Sequence, residues 1–228
     1  MNILLISGHG AGDSGAVVGN IREADLTRSL ARALFDNIKT FSQVTLFDTS
    51  KNMYKYLKSG GAFDFSPYDY ILEIHFNAGA KKSSNAATTG TEILVHQNES
   101  GISVEENILS EIALLGFKNR GVKRRDNLYN MNSIKALGKS YALLEVCFLD
   151  DPDDLALYNE EKVALAIAEG IKKGFGIKTL PQTDHNIEHL ATLGIITNQT
   201  LWEKKIKDDI NIYYLIKKVS EYTKTGKV

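Results

Sequence analysis

The chain has 228 residues, a formal net charge of -1 and 43% hydrophobic residues, values typical of a globular protein. Its length suits one domain or one domain with a small addition, and the near-zero charge gives no reason to expect nucleic acid as a partner. The single cysteine, Cys147, excludes an intrachain disulfide and a cysteine-rich zinc ribbon, so zinc would have to be held by nitrogen and oxygen atoms.

The first part of the chain predicts strands that alternate with helices. Residues 1–7 lack the basic segment that opens a secretory signal, and no run of the chain reaches the roughly 18 apolar residues of a membrane span. We therefore expect synthesis in the cytoplasm without a signal peptide, and no membrane insertion. Apolar runs and helical periodicity predict strands over 2–6, 44–47, 70–75 and 91–96, a helix over 23–41 and a short helix within 51–68.

The pattern continues to about residue 176 and then changes. A capping box at Ser103 opens a helix to about residue 115, a strand is predicted over 141–146, and Gly176 ends a long helix over 154–175. Such alternation predicts an α/β fold with a mostly parallel, twisted sheet flanked by helices. Residues 178–184 are a predicted linker, and 185–228 form a small helical module.

Polar side chains follow three of the predicted strands. His9 comes after the first strand, His75 ends another, and Glu145 follows the run 141–144. Glu23 lies in the first turn of the first helix. The carboxyl ends of parallel strands share one edge of a sheet, and catalytic zinc commonly takes two histidines and a carboxylate. A single histidine at a strand end is more often only hydrogen-bonded, but the combination predicts a metal site.

Glu145 has two interpretations. A carboxylate at the end of a buried strand is costly unless it meets a cation or a donor. Beside a metal it can act as a general base, and away from one it can form an ion pair with Arg124 or Arg125. The presence of the other three candidate residues favours the catalytic role.

Four segments, in order, carry a specific resemblance. They are GHGAGDSGA at 8–16, the acid at Glu23, HFNAG at 75–79 and LLEVCFLDDPDD at 143–154. Together they resemble the zinc-dependent N-acetylmuramoyl-L-alanine amidases of the amidase-3 type, which occur in autolysins and phage endolysins. The resemblance covers about residues 1–176 and implies a Zn²⁺ cofactor and bacterial peptidoglycan as the partner.

The resemblance also implies roles and a reaction. His9, Glu23 and His75 correspond to the zinc ligands and Glu145 to the catalytic acid and base. The implied enzyme cleaves the amide between N-acetylmuramic acid and L-alanine of the stem peptide. Residues 1–177 would be the catalytic domain of a phage-type endolysin that reaches the wall after release. Residues 185–228 would serve wall targeting or pair two chains as a homodimer.

Two other functions stay open at this point. One is a zinc peptidase that cuts within the stem peptide, and the other is a non-catalytic wall-binding protein on an amidase scaffold. The complete set of candidate ligands together with Glu145 argues against the second.

The chain departs from the family pattern at two positions. Cys147 stands where the family usually has glycine, and Asp150 where it usually has asparagine. Strand alternation predicts Cys147 on the same face as Glu145. A cysteine nucleophile is therefore the alternative mechanism, although a buried structural thiol is the more common case.

Three further residues are candidates for contacts around the site. Glu73 would either orient a ligand or be a fixed charge beside the peptide groove. Asn77 would donate to substrate or cap a turn. Arg125 would meet stem-peptide carboxylates or belong to a solvated charged segment.

Overall fold

The computed structural model describes residues 1–79, 89–177, 184–208 and 210–226. The chain divides into two compact units, Met1–Ile177 and Lys178–Val228. The predicted linker over 178–184 lies outside the described residues except for Asp184, which begins a helix.

A six-stranded sheet forms the centre of the first unit. The described residues of this unit form eight strands, of which six belong to the sheet. They are β1 (Asn2–Ser7), β2 (Val17–Val18), β3 (Ile21–Arg22), β4 (Gln43–Leu46), β5 (Tyr70–Asn77), β6 (Thr91–His96), β7 (Asn119–Arg125) and β8 (Tyr141–Phe148). The sheet has the order β4-β1-β5-β8-β6-β7, and only β6 and β8 run antiparallel to each other. Strands β2 and β3 form a separate two-stranded ribbon. The predicted α/β fold with a mostly parallel sheet is thus confirmed.

Helices cover both faces of this sheet. They are α1 (Glu23–Ile38), α2 (Met53–Lys58), α3 (Ser103–Ala113), α4 (Tyr129–Lys135), α5 (Pro152–Leu157) and α6 (Glu160–Gly174). Apolar side chains of α1, α3 and α6 share one buried cluster with Ile3 and Leu5 of β1. Those of α2 and α4 share another with Leu4 and Ile6 of the same strand. Burial on both faces explains why the central strands are continuous apolar runs.

The single helix predicted over 154–175 is wrong, because the chain forms two helices there. Asp151 caps α5 and accepts hydrogen bonds from the backbone N–H groups of Asp153 and Asp154. Tyr158 then adopts an extended conformation, and the side chain of Asn159 caps α6. Two side chains suited to helix N-termini therefore divide the segment.

The second unit contains α7 (Asp184–Thr192), α8 (Gln199–Asp208) and α9 (Ile210–Thr225). Its buried core consists of Ile187, Leu190, Ile196 and Ile216. No helix in the described part of the chain is long and apolar enough to cross a membrane.

Candidate metal centre and catalytic site

The structure brings the three predicted ligands together. His9 follows β1, Glu23 is the first residue of α1, and His75 lies within β5. Each offers a ligand atom, and these atoms lie within 4.8 Å of one another. The two Glu23 oxygens reach separate histidines, Oε2 at 3.1 Å from His9 Nε2 and Oε1 at 3.0 Å from His75 Nδ1. The carboxylate therefore stands between the two imidazoles.

The loop that carries His9 is held in an unusual conformation. His9 has a φ of 61°, in the left-handed region that few residues other than glycine adopt. Arg28 of α1 donates to the carbonyl oxygens of Gly8 at 3.1 Å and His9 at 2.9 Å. Thr27 donates to the same Gly8 oxygen at 2.8 Å. The first helix thus fixes the loop that presents the histidine.

Two glycines, which lack a side chain, make room for the candidate ligand side chains. A Cβ atom at Gly8 would lie 2.5 Å from the His75 imidazole. A Cβ atom at Gly15, whose φ is 62°, would lie 2.5 Å from Glu23 Oε2. Either substitution would push a ligand side chain out of place.

Glu23 is buried and ionised. Its carboxylate accepts hydrogen bonds from the backbone N–H groups of Ala16 at 2.9 Å and Phe76 at 3.0 Å. Burial alone would raise its pKa, but the hydrogen bonds to His75 and His9 outweigh burial and hold the pKa of Glu23 far below its usual range. A negative charge is therefore present between the histidines at neutral pH.

The remaining nitrogen of each histidine meets another carboxylate. His9 Nδ1 lies 3.0 Å from Asp13 Oδ2, and His75 Nε2 lies 3.0 Å from Glu73 Oε1. An ionised carboxylate only accepts, so each contact places the ring N–H there. The opposite nitrogen can then offer its lone pair to a cation.

The same contacts favour protonated imidazoles when no cation competes. Burial lowers the pKa of both histidines, but the hydrogen bonds to Glu23 prevail, helped by Asp13 at His9 and by Glu73 at His75. The pKa of each lies above its ordinary value. A metal ion must therefore displace protons to bind.

The arrangement fits Zn²⁺. Donor atoms bound to one tetrahedral zinc at about 2.0–2.2 Å lie about 3.3–3.6 Å from each other. The three ligand atoms here lie within 4.8 Å of one another, and each imidazole faces one oxygen of Glu23, at 3.1 Å and 3.0 Å. Nitrogen and oxygen donors in the proportion of two to one are also a common catalytic zinc set.

Glu145 lies beside this group without taking part in it. In the sheet it is paired with His75 of β5 on one side and with Glu92 of β6 on the other. Its Oε2 atom is buried and has no hydrogen-bond partner among the described residues. Burial raises the pKa of Glu145 to about 7; the positive charge of His75 opposes this, and the negative charges of Glu23 and Glu92 reinforce it.

The alternative role of Glu145 in an ion pair finds no support in the described contacts. Arg124 instead donates to the backbone carbonyl oxygens of Gln97 and Glu99. Arg125 is exposed at the end of the edge strand β7, two strands away from β8, and does not line the cleft described next.

A cleft of about 460 Å³ opens onto the two histidines. One side is formed by residues of α2 and α4 and the segments before them. Its lining consists of His9, Asp13, Asn52, Tyr54, Lys58, Glu73, His75, Asn127, Leu128, Tyr129, Asn130, Tyr141 and Leu143. His9 and His75 are therefore accessible to a molecule bound there.

Residues 3–176 match the family model described as N-acetylmuramoyl-L-alanine amidase. This match covers most of the chain and all four candidate residues. The chain belongs to this amidase family.

Relatives and solved structures agree with that assignment. The chain is 24% identical over 184 residues to an endolysin of Bacillus phage SPP1, a match that covers 75% of this chain and 64% of the endolysin, so the chain spans less than two thirds of that relative's length. A crystal structure of an N-acetylmuramoyl-L-alanine amidase from Clostridium difficile covers 78% of this chain and 98% of its own, with a TM-score of 0.63 and 20% identity. The catalytic domain of an endolysin targeting Clostridia difficile covers 75% of this chain and 96% of its own, with a TM-score of 0.58 and 27% identity.

The structure does not place Cys147 beside Glu145, so the predicted shared face is wrong. The register passes from His75–Glu145 to Asn77–Phe148, which inserts one extra residue into β8. This bulge interrupts the alternation of side chains. Cys147 turns into the core under α1, α3 and α6, where it is fully buried and its pKa is raised far above the ordinary value by burial. A buried neutral thiol argues against a cysteine nucleophile.

The remaining candidates have structural contacts in the amidase. Asn77 donates to Glu92 Oε1 at 3.1 Å and accepts from the N–H of Ala78 at 3.0 Å, which ties the end of β5 to β6. Asp150 accepts from the N–H of Gly79 at 2.9 Å. Sequence reasoning missed the contact of Asp13 with His9, although Asp13 lies within the segment 8–16 that carries the resemblance.

Proposed function

We propose that this amidase hydrolyses the amide between N-acetylmuramic acid and L-alanine of peptidoglycan, with Zn²⁺ held by His9, Glu23 and His75. The observation that carries the proposal is the convergence of these three ligands, of which His9 and His75 line an open cleft, beside a carboxyl whose Oε2 atom has no partner among the described residues. The family membership and the likeness to a phage endolysin support the choice of peptidoglycan as substrate and of a phage-type endolysin as the protein's class.

The bound metal and the side chains around it would have separate roles in the reaction. Bound Zn²⁺ would polarise the scissile carbonyl and lower the pKa of a water molecule. Glu145 accepts a proton from the attacking water and then donates it to the departing L-alanine nitrogen. A pKa of about 7 suits a group that must both accept and donate near neutral pH. Asp13 and Glu73 keep the imidazoles oriented while substrate binds.

The bond that is cut can be identified from the products. Purified cell walls digested with the full chain and Zn²⁺ are expected to yield new L-alanine amino termini and lactyl groups with a free carboxylate, measured by amino-terminal labelling and mass spectrometry. A chelator-treated sample serves as the control, and re-addition of Zn²⁺ should restore the products.

The alternatives predict different products. New amino termini at other peptide positions would identify a zinc peptidase and would overturn the proposed bond. Binding to walls with no new termini would identify a non-catalytic wall-binding protein.

We propose that the second unit pairs two chains. Its described residues include exposed large apolar side chains at Leu193, Ile195, Leu201, Leu215 and Tyr222. Such side chains form an interaction surface where they lie together, and most soluble oligomers are symmetric dimers. We therefore expect twice the chain mass of 25.2 kDa by light scattering, and the chain mass for Leu215→Glu. A wild-type chain that is monomeric at all concentrations but sediments with cell walls would indicate wall targeting instead.

A further inference from the structure

We propose that Glu73, held by Asn130 and Tyr141, is a positioning residue that selects the imidazole nitrogen of His75 offered to the metal. Asp13, held by Asn52, does the same for His9. The inference rests on the proposed zinc site and concerns how neighbouring side chains orient its two histidine ligands.

Three donors converge on the Glu73 carboxylate. Tyr141 donates its hydroxyl to Oε2 at 2.6 Å, Asn130 donates its amide to the same oxygen at 2.9 Å, and His75 Nε2 lies 3.0 Å from Oε1. Glu73 is only 4% exposed, so water contributes little to its solvation. When a cation takes the place of the proton between Nδ1 and Glu23, the Glu73 carboxylate keeps the N–H of His75 on Nε2 and leaves the Nδ1 lone pair for the ion.

The His9 side repeats this arrangement with different elements. Asp13 Oδ2 lies 3.0 Å from His9 Nδ1 and accepts from the Asn52 side chain at 3.1 Å. Asp13 Oδ1 accepts from the backbone N–H of Gly15 at 3.0 Å. The N–H is therefore placed on Nδ1 of His9, and Nε2 faces Glu23.

The two asparagines belong to helices that border the cleft. Asn52 is the N-cap of α2, and Asn130 lies in the first turn of α4. The rings of Tyr54 and Tyr129, one from each helix, contact each other with centroids 5.7 Å apart. Packing of α2 against α4 thus fixes the positions of Asn52 and Asn130, which hold the carboxylates that contact the two histidines. The side of the cleft that these helices form therefore also orients the ligands.

The chain contains a matched control for Glu73. Glu105 of α3 is 2% exposed, and it accepts a hydrogen bond from the buried hydroxyl of Tyr70 at 3.0 Å. Glu105 belongs to the layer of helices formed by α1, α3 and α6. The described hydrogen bond between Glu105 and Tyr70 involves none of the three candidate ligands. Replacing Glu105 therefore disturbs a buried glutamate–tyrosine pair without touching a histidine.

Glu73→Gln is expected to weaken zinc binding by about 10–100-fold, the usual effect of losing a partner of a ligand histidine. Glutamine keeps the shape but loses the charge and offers one acceptor oxygen to three donors. Zinc affinity is measured on the full chain by competition with a chromogenic chelator. Glu105→Gln should retain the wild-type affinity, and Asn130→Ala should lose about two- to tenfold, as for one hydrogen bond.

A second measurement reads the two ring nitrogens of His75 directly. In the zinc-bound protein, the ¹⁵N shifts of the ring should report an N–H at Nε2 and a metal-bound Nδ1, and Glu73→Gln should give a mixture of the two arrangements. An unchanged tautomer with unchanged zinc affinity in Glu73→Gln would overturn the proposal. An equal loss of affinity in Glu73→Gln and Glu105→Gln would show a merely structural effect and would also overturn it.

The outcomes separate this inference from the proposed function. If wild-type protein binds zinc and Glu73→Gln weakens it, the inference holds whichever bond in the wall is cut. If the wild-type protein binds zinc and Glu73→Gln binds it equally tightly with an unchanged ring, the inference fails while the proposed function stands; if the wild-type protein binds no zinc, both fail.

Discussion

Glu145→Gln is expected to lower kcat for wall hydrolysis by about 10²–10⁴-fold, the usual contribution of a general acid or base. Zinc content should stay at the wild-type level, because Glu145 is not one of the three residues whose ligand atoms converge. Glutamine preserves the size of the side chain but can neither accept nor return the proton. Release of labelled wall fragments and metal analysis of the same preparation test both expectations.

The expectation follows from how Glu145 differs from its neighbours. Glu23 and Glu73 each have donors on both oxygens, whereas Glu145 Oε2 has no partner among the described residues. A buried carboxyl in that condition lowers the stability of the fold, and a catalytic role is one explanation for its presence. Its raised pKa of about 7 is the consequence, and it suits proton transfer.

Glu92 provides the matched control for Glu145. It is paired with Glu145 across β6 and β8 on the same sheet face, but it is bound by Arg120 at 2.9 Å and by Asn77. Glu92→Gln removes one of the charges that raise the pKa of Glu145, so it should shift the pH profile of kcat to lower pH while the maximal kcat stays within a few-fold of wild type. An equal fall in both variants, or a fully active Glu145→Gln, would contradict the assigned role.

The three candidate ligands could be predicted from the sequence because each of them has a local signal. His9 and His75 follow apolar runs that form β1 and β5, and Glu23 stands at the start of a periodic helix. The β-strand and helix signals depend only on neighbouring residues. Knowledge of the parallel sheet then suffices to bring these positions to one edge.

The partners of the ligands could not be predicted in this way. Asn52 and Asn130 reach Asp13 and Glu73 across 39 and 57 residues, and no local pattern marks them. Their positions depend on how α2 and α4 pack over the sheet. The sequence-based alternatives for Glu73 were an orienting partner or a free charge, and its contact with His75 supports the first.

Two further errors have different causes, an irregular backbone in β8 and a low apolar content in β7. The bulge in β8 turned Cys147 away from Glu145, and strict alternation had placed it on the same face. Strand β7 was not predicted because its sequence, NRGVKRR, contains one large apolar residue. An edge strand with exposed basic residues lacks the apolar alternation on which prediction depends.

Glu23→Gln should lose more zinc affinity than Glu73→Gln, because it changes a ligand and not the partner of one. The amide removes the negative charge that stands between His9 and His75, and a neutral amide is a weak ligand for Zn²⁺ beside carboxylate and imidazole. Wall hydrolysis should fall with the metal content. Zinc titration followed by hydrolysis assays at each metal concentration measures both.

Rescue by metal distinguishes this variant from Glu145→Gln. Excess Zn²⁺ should restore part of the activity of Glu23→Gln, since its proton-transfer group Glu145 is intact, and should leave Glu145→Gln inactive. The stability of each variant is checked by thermal unfolding, with Glu105→Gln as the reference for a buried glutamate that lies outside the site.

If Glu23→Gln binds zinc as tightly as wild type, or if chelated wild-type protein remains fully active, the hydrolysis does not depend on this metal centre. The opposite responses of the two variants to added zinc would assign one carboxylate to holding the ion and the other to moving the proton.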